Sequence, residues 1–204
     1  MAGLSHADRS ELTRRALLDA AQELFAAQGY AATSAVAIAR RAKRTQGALQ
    51  YHFTDKATLF QAVYAEQNAA VLDFIVERMQ AADGELWQQT VVAADAYLET
   101  VTDTRRLRIL YLDAPVVLGR TALHRTGPWL GLLRQLFAPL LATGVIAPLP
   151  LNPLIHLVWA ALYEAGNYVA YAADPRRAQA EMRTLLLRAL DGLRPRPERR
   201  PDTG

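Results

Sequence analysis

Residues Thr33–Lys56 read TSAVAIARRAKRTQGALQYHFTDK. The stretch reads as two short helices joined by a basic turn, followed by an aromatic cluster and the start of a third helix. Thr33 or Ser34 is placed to N-cap the first helix, whose inner face is Val36, Ile38, Ala39 and Ala42, and Thr45 is placed to cap the second. Thr54 or Asp55 caps the third, which starts close to Lys56. At about 100° per residue, Thr45, Leu49 and Phe53 cluster on one side of the second helix, and Gln46, Gly47, Gln50 and Tyr51 project from the other. Leu49 and Phe53 suit a core. Two amides, a glycine and a tyrosine do not, but they suit a DNA major groove: Gln pairs with adenine N6 and N7, apolar surface meets the thymine methyl, and glycine permits close backbone approach. Thr33, Ser34, Tyr51, His52 and Lys56 stand where phosphates would flank such a helix, and the helix N-termini add partial positive charge. Taken alone, Arg40, Arg41, Lys43 and Arg44 suit an ordinary solvated face equally well; the joint occurrence of caps, turn and aromatic cluster favours DNA.

Upstream, Leu17, Ala20, Ala21, Leu24, Phe25 and Gln28 recur at helical spacing, with Arg14, Arg15, Asp19 and Glu23 between them. That pattern predicts an amphipathic helix over roughly Asp8 to Gln28. Gly29 suits the C′ position beyond it, because it reaches positive φ without steric cost.

The ordered set Gly29-Tyr30, Thr33-Ser34, Ile38-Ala39, Ala42, Gly47, Leu49, His52-Phe53 and Asp55-Lys56 closely resembles the DNA-binding signature of the TetR family of transcription regulators. The resemblance covers about the first quarter of the chain. It implies that Thr33, Gln46, Gly47, Ala48, Tyr51, His52 and Lys56 face DNA; Ser34, Arg44, Thr45 and Gln50 complete the set of candidate contacts. Two departures stand out. The family turn usually carries Gly followed by an apolar residue, where this chain has Lys43 and Arg44. A left-handed residue costs more for Lys, and Arg44 is expected to lay its stem on the core with its head towards a phosphate. The other departure is Gln50, where the family often has tyrosine.

Charge is distributed to match. Residues 1–56 hold eight Lys/Arg against five Asp/Glu, and residues 57–193 hold eleven against thirteen. A basic head on a slightly acidic body suits a DNA-binding module on a body that does not bind DNA. The chain has no cysteine, which excludes a disulfide framework and thiolate chemistry. His6, His52, His124 and His156 are scattered without metal-ligand spacing, so neither a metal nor a cofactor is expected. The first residues are polar and charged, unlike a signal peptide. Gln135–Tyr163 lacks Asp, Glu, Lys and Arg, but Pro139, Pro148, Pro150 and Pro153 cut it into pieces too short for a bilayer. A cytoplasmic location without membrane contact is expected.

The body reads as all helix, over Lys56–Ala82, Leu86–Thr102, roughly Arg105–Leu112, Val116–Arg125, Pro128–Ala142, Pro153–Ala172 and Pro175–Leu193. Breaks are expected at Asp83-Gly84, Asp103-Thr104, Asp113-Ala114-Pro115 and Gly127-Pro128, with Asn152 and Asp174 capping the last two helices ahead of Pro153 and Pro175. Residues 194–204, RPRPERRPDTG, are Pro-rich and charged and suit a disordered tail. Met182, Leu185, Leu186, Ala189, Leu190 and Leu193 make one stripe, and the preceding helix is apolar nearly all round with small Ala161 and Ala165, which permit close approach. Ala161, Ala165, Met182, Leu186, Ala189 and Leu190 are therefore expected in a homodimer interface, and the family resemblance implies the same. The candidates to line a ligand cavity are Trp87, Tyr97, Tyr111, Trp129, Trp159, Tyr163 and Asn167. Asn167 stands out because a buried amide needs a partner.

The expectation is an all-α protein: an N-terminal three-helix head over residues 1–56, a helical ligand-binding and dimerisation domain over 57–193, and a tail. Its partners would be a double-stranded DNA operator, a small-molecule effector and a second copy of itself. The competing readings are an all-helical enzyme, for which no nucleophile–base pair or phosphate loop stands out, and an interaction protein with a non-functional helix-turn-helix.

Overall fold

The computed structural model describes residues 5–82, 84–119 and 128–195. Among these the regular structure is helical throughout. Contacts divide the chain into two units: residues 1–71 with 101–127, and residues 72–100 with 128–204. The fourth helix runs from one unit into the other.

In the first unit, α1 (His6–Ala32) opens with a reciprocal cap. Ser5 Oγ accepts from the Asp8 N–H at 3.1 Å, and the Asp8 carboxylate accepts from the Ser5 N–H at 2.9 Å. These bonds hold the Asp8 carboxyl below its ordinary value. Regular helix is interrupted at Gly29, which takes φ 85° and ψ 167°, a region that is essentially glycine's alone. Gly29 has the positive φ expected of it, but it is a kink and not the end expected at Gln28: helical structure resumes beyond it to Ala32. Then come α2 (Ala35–Arg41), α3 (Gln46–His52) and the start of α4 (Lys56–Ala81). Leu17, Leu18, Ala21 and Phe25 of α1 are buried, as are Ile38, Leu49, Phe53, Leu59, Phe60 and Val63. Phe25, Tyr30 and Phe60 form a ring cluster with centroids 5.2–5.7 Å apart.

The same unit holds α6 (Thr104–Leu107), a π turn (Arg108–Asp113) and α7 (Ala114–Val117). Asp103 caps α6 through its carboxylate, as its place at a break suggested. The break expected at Asp113-Ala114-Pro115 is absent: the chain stays helical from Thr104 to Val117. Pro115 falls in the first turn of α7, directly after the π turn. The helix expected over Val116–Arg125 is met only at Val116 and Val117: Leu118 and Gly119 lie beyond the end of α7, with Gly119 at φ 73°, and residues 120–125 lie outside the described residues, as does the tail beyond Pro195.

The second unit contains the end of α4, α5 (Leu86–Thr100), α8 (Trp129–Ala142), α9 (Leu151–Ala170) and α10 (Pro175–Asp191). Pro175 takes N1, and Asp174 Oδ1 accepts from the Arg177 N–H at 3.1 Å. The other expected proline start is corrected. α9 begins at Leu151, two residues before Pro153, and Asn152 does not cap it: its Oδ1 accepts from Arg134 at 2.7 Å. Arg183 ties α10 to Asp95 of α5 at 2.6 Å. Among the described residues no helix is long and apolar enough to cross a membrane.

Candidate nucleic-acid interface

Ser34 and Thr45 open the two short helices. Their hydroxyl oxygens accept from the N–H groups of Ala37 and Ala48, each at 3.1 Å. Both residues are exposed, so each hydroxyl keeps its proton for an outside acceptor such as a phosphate. At the start of α4, Asp55 Oδ1 accepts from the Thr58 N–H at 2.7 Å, a bond that holds this carboxyl below its ordinary value.

The turn between α2 and α3 closes as a Schellman motif. The Arg44 N–H donates to the Ala39 carbonyl at 2.9 Å and the Lys43 N–H to the Arg40 carbonyl at 3.1 Å. Lys43 holds the left-handed conformation at φ 54°, so the turn forms without the usual glycine. Arg44 does not lie on the core. It is exposed, and its guanidinium donates to the Lys43 carbonyl at 3.1 Å.

Leu49 and Phe53 are buried, at 2% and 4% exposure, and pin α3 to the head. Gln46, Gly47, Gln50 and Tyr51 are all exposed, Tyr51 to 78%. Ala48 and His52 are half-buried, with the His52 ring 5.1 Å from that of Tyr51. Arg40, Lys43 and Arg44 add positive charge beside this face, while Arg41 is drawn back to Glu23 at 2.7 Å. Val36 was expected on the inner face of α2. It is instead 58% exposed, because the wall against α1 is filled by Ile38 and Ala39.

Two expected phosphate contacts face inward. Thr33 is 1% exposed, and its hydroxyl donates to the Gly29 carbonyl at 2.7 Å. The Lys56 ammonium donates to the carbonyls of Tyr30 and Thr33, each at 2.9 Å, and lies 3.9 Å above the Tyr30 ring. Thr33 and Lys56 therefore hold the joint between α1 and α2. Sequence spacing placed them correctly along the chain, but it does not say which way a side chain turns at an irregular joint.

In the second unit a cavity of about 160 Å³ lies between α5, α8, α9 and α10. Tyr97, Trp129, Leu133, Leu136, Phe137, Leu154 and Leu162 line it, with small Ala93 and Ala94 opposite, and no charged side chain is in its wall. The Thr90 hydroxyl in the wall donates to the Leu86 carbonyl at 2.9 Å. Of the seven expected lining residues, Tyr97 and Trp129 are there. Trp159 stands behind Trp129, stacked at 5.2 Å, and Tyr163 lies beyond Trp159. Trp87 lies under Arg194 in a separate, polar hollow, and Tyr111 belongs to the other unit. Asn167 is not a buried amide. It is half-buried and donates to exposed Glu164 at 3.3 Å, clear of the cavity. Aromatic residues draw attention in a sequence, whereas most of this wall is Leu and Ala, which carry no such signal.

The outer faces of α9 and α10 are apolar and uncovered. Leu157 is 70% exposed, Tyr168 50%, Tyr171 72% and Leu185 62%. Of the expected interface residues, Ala161 and Ala189 are exposed and Met182 and Leu186 are half-buried. Ala165 and Leu190 face the subunit's own interior, at 1% and 7% exposure, and are corrected to core.

A capped three-helix head that turns such a face outward defines a helix-turn-helix protein. The chain matches the family model "Bacterial regulatory proteins, tetR family" over residues 17–63 and "Tetracyclin repressor-like, C-terminal domain" over residues 87–193. It belongs to the TetR family, a family of transcriptional regulators and not of enzymes. It is similar to the HTH-type transcriptional regulator SrpR of Pseudomonas putida, 39% identical over 92 residues that span 43% of this chain and 40% of that protein. It is also similar to the HTH-type transcriptional regulator AcrR of Shigella flexneri, 41% identical over 63 residues that span 30% and 29%. The matched stretch thus covers less than half of either relative. A solved TetR-family transcriptional regulator from Pectobacterium atrosepticum superposes with a TM-score of 0.82 at 29% identity, over 96% of this chain and 100% of that one. The fatty acid degradation regulator FadR from Bacillus halodurans, at 18% identity and a TM-score of 0.69, covers 85% and 94% and shares the fold.

Proposed function

We propose that the protein is a homodimeric, ligand-responsive transcriptional repressor that works in the cytoplasm and leaves a palindromic operator when a small apolar molecule binds its body. The observation that carries the reading is the outer face of α3. Gln46, Gly47, Gln50 and Tyr51 are exposed, stand beside Arg40, Lys43 and Arg44, and carry hydrogen-bonding and apolar groups of the kind that read base edges. The Lys43-Arg44 turn, where the chain departs from the family pattern, closes as a Schellman motif and supports a functional helix-turn-helix.

The cavity supports the ligand half of the reading. Its volume and uncharged wall match one small aromatic or short aliphatic molecule. Such a molecule shifts the equilibrium only through unequal affinity for the DNA-competent and DNA-released states. The uncovered faces of α9 and α10 support the dimer. Two copies place two recognition helices on one operator, and they compensate for the modest charge of a single head.

The test is to select duplexes from a random-sequence library with the wild-type protein and then measure binding by anisotropy. We expect an inverted repeat to emerge. Gln46→Ala should cost about 1–3 kcal/mol on the selected duplex and relax preference at one position of each half-site. Recovery of no preferred sequence would sink the reading.

A further inference from the structure

The stretch Leu110–Arg120, LYLDAPVVLGR, plays no part in the function proposed above, yet its Asp113 makes a bond across 83 positions of sequence. The carboxylate Oδ2 accepts from the Tyr30 N–H at 2.9 Å. That N–H needs an outside acceptor because the glycine conformation of residue 29 turns it off the axis of α1. The Gly29 site is closed on the same side. A Cβ there would stand 2.9 Å from the Arg108 guanidinium and 3.6 and 3.7 Å from the two Asp113 oxygens.

Arg108 and Asp113 reach one glycine together because they are the ends of the π turn. Five residues apart in an α-helix they would stand about 140° apart around the axis. In the wider turn, bonded from Ala114 N–H back to the Ile109 carbonyl, they come to within roughly 50°. From inside the head the joint is held by the Lys56 ammonium on the carbonyls of Tyr30 and Thr33 and by the Thr33 hydroxyl on the Gly29 carbonyl, whereas the Tyr30 N–H is held from the π turn.

We infer that Asp113, presented by the π turn, is a positioning residue for DNA recognition. It latches the joint between α1 and α2 and so sets the angle at which α2 and α3 meet the groove. The inference rests on the DNA-binding reading. Movement of residues 108–113 becomes movement of the reading face, because Ser34, the cap of α2, follows the latched joint directly. The α5 helix, whose Tyr97 lines the cavity, leads in sequence into the same segment.

Two experiments decide it. Amide hydrogen exchange of the wild-type dimer without DNA should show the Tyr30 N–H protected, and Asp113→Leu should speed its exchange about tenfold or more. Asp113→Leu should also weaken the selected duplex about tenfold while leaving affinity for a scrambled duplex unchanged, and Asp113→Asn, which keeps an acceptor oxygen, should restore most of it. A residue that merely stabilises the fold would lower both affinities together. The latch is overturned if Tyr30 exchanges freely in the wild type, or if Asp113→Leu discriminates between the duplexes as the wild type does. Should the wild type select no duplex at all, the functional reading fails, and Tyr30 protection still decides whether the latch exists.

Discussion

Nothing inside the protein asks for a glycine at position 47. Its φ is not positive, and a Cβ there would meet only Thr45 Oγ1, at 3.9 Å. Glycine in a helix costs about 0.5–1 kcal/mol relative to alanine, so its use here points outward, to a surface that must come close. Gly47→Ala is therefore expected to raise the thermal stability of the head by about that amount and yet weaken the selected duplex. Binding equal to wild type would place Gly47 outside the interface. Lys56 is the opposite case, a cation in the expected contact set that is spent indoors. Lys56→Met keeps the stem over Tyr30 but removes two hydrogen bonds and the cation–π contact. It should destabilise the head by about 1–3 kcal/mol, read as a lower unfolding midpoint. A phosphate ligand would give the reverse pattern, with stability unchanged and a shallower dependence of affinity on salt.

At the scale of elements, the turn after α2 shows what a departure from pattern costs. The backbone keeps its Schellman geometry with Lys43 in the left-handed region, so the strain is carried locally and not relieved by another turn type. Lys43→Gly should stabilise the protein by about 1 kcal/mol and, through the lost charge, lower affinity for all duplexes alike. No gain in unfolding midpoint would show the strain to be absent. Such turns, caps and short helices were legible in the sequence because each depends on a few neighbouring residues. Ser34, Thr45 and Asp174 cap where spacing put them, and Gly29 turns where its lack of a Cβ allows. What was not legible depends on partners far along the chain. Asn152 has the chemistry of a cap but answers Arg134. Val36 was misplaced for a nearer reason: two residues from Ile38, it lies about 200° around α2 and faces out. The π turn leaves no mark in hydrophobic period at all. Asn167 misled for a related reason: an amide in an apolar run reads as buried, whereas the uncovered side of α9 carries it.

For the whole molecule, the decisive surface is the apolar side of α9 and α10. Leu157, Ala161, Tyr168 and Tyr171 recur on α9 at spacings of four, seven and three, and Met182, Leu185 and Ala189 do so on α10. A contiguous exposed face of this kind marks an interaction site, and in the dimer proposed above its partner is a second copy, because one patch that pairs with itself closes a twofold dimer. The choice of residue matters for the test. Leu157, Ala161, Leu186 and Ala189 also line the cavity, so a charge there would disturb the subunit's interior as well as the interface. Leu185 is 62% exposed and lines nothing inside. Leu185→Glu should therefore leave each subunit folded, with helical content unchanged, while placing an unpaired charge in the dimer contact. Sedimentation at micromolar concentration should show a dimer for the wild type and a monomer for the variant. Affinity for the full inverted repeat should fall to the level of a single half-site, while the half-site alone is bound as before. A variant that stays dimeric would move the interface off this face, and a monomer that still holds the full repeat tightly would remove dimerisation from the mechanism.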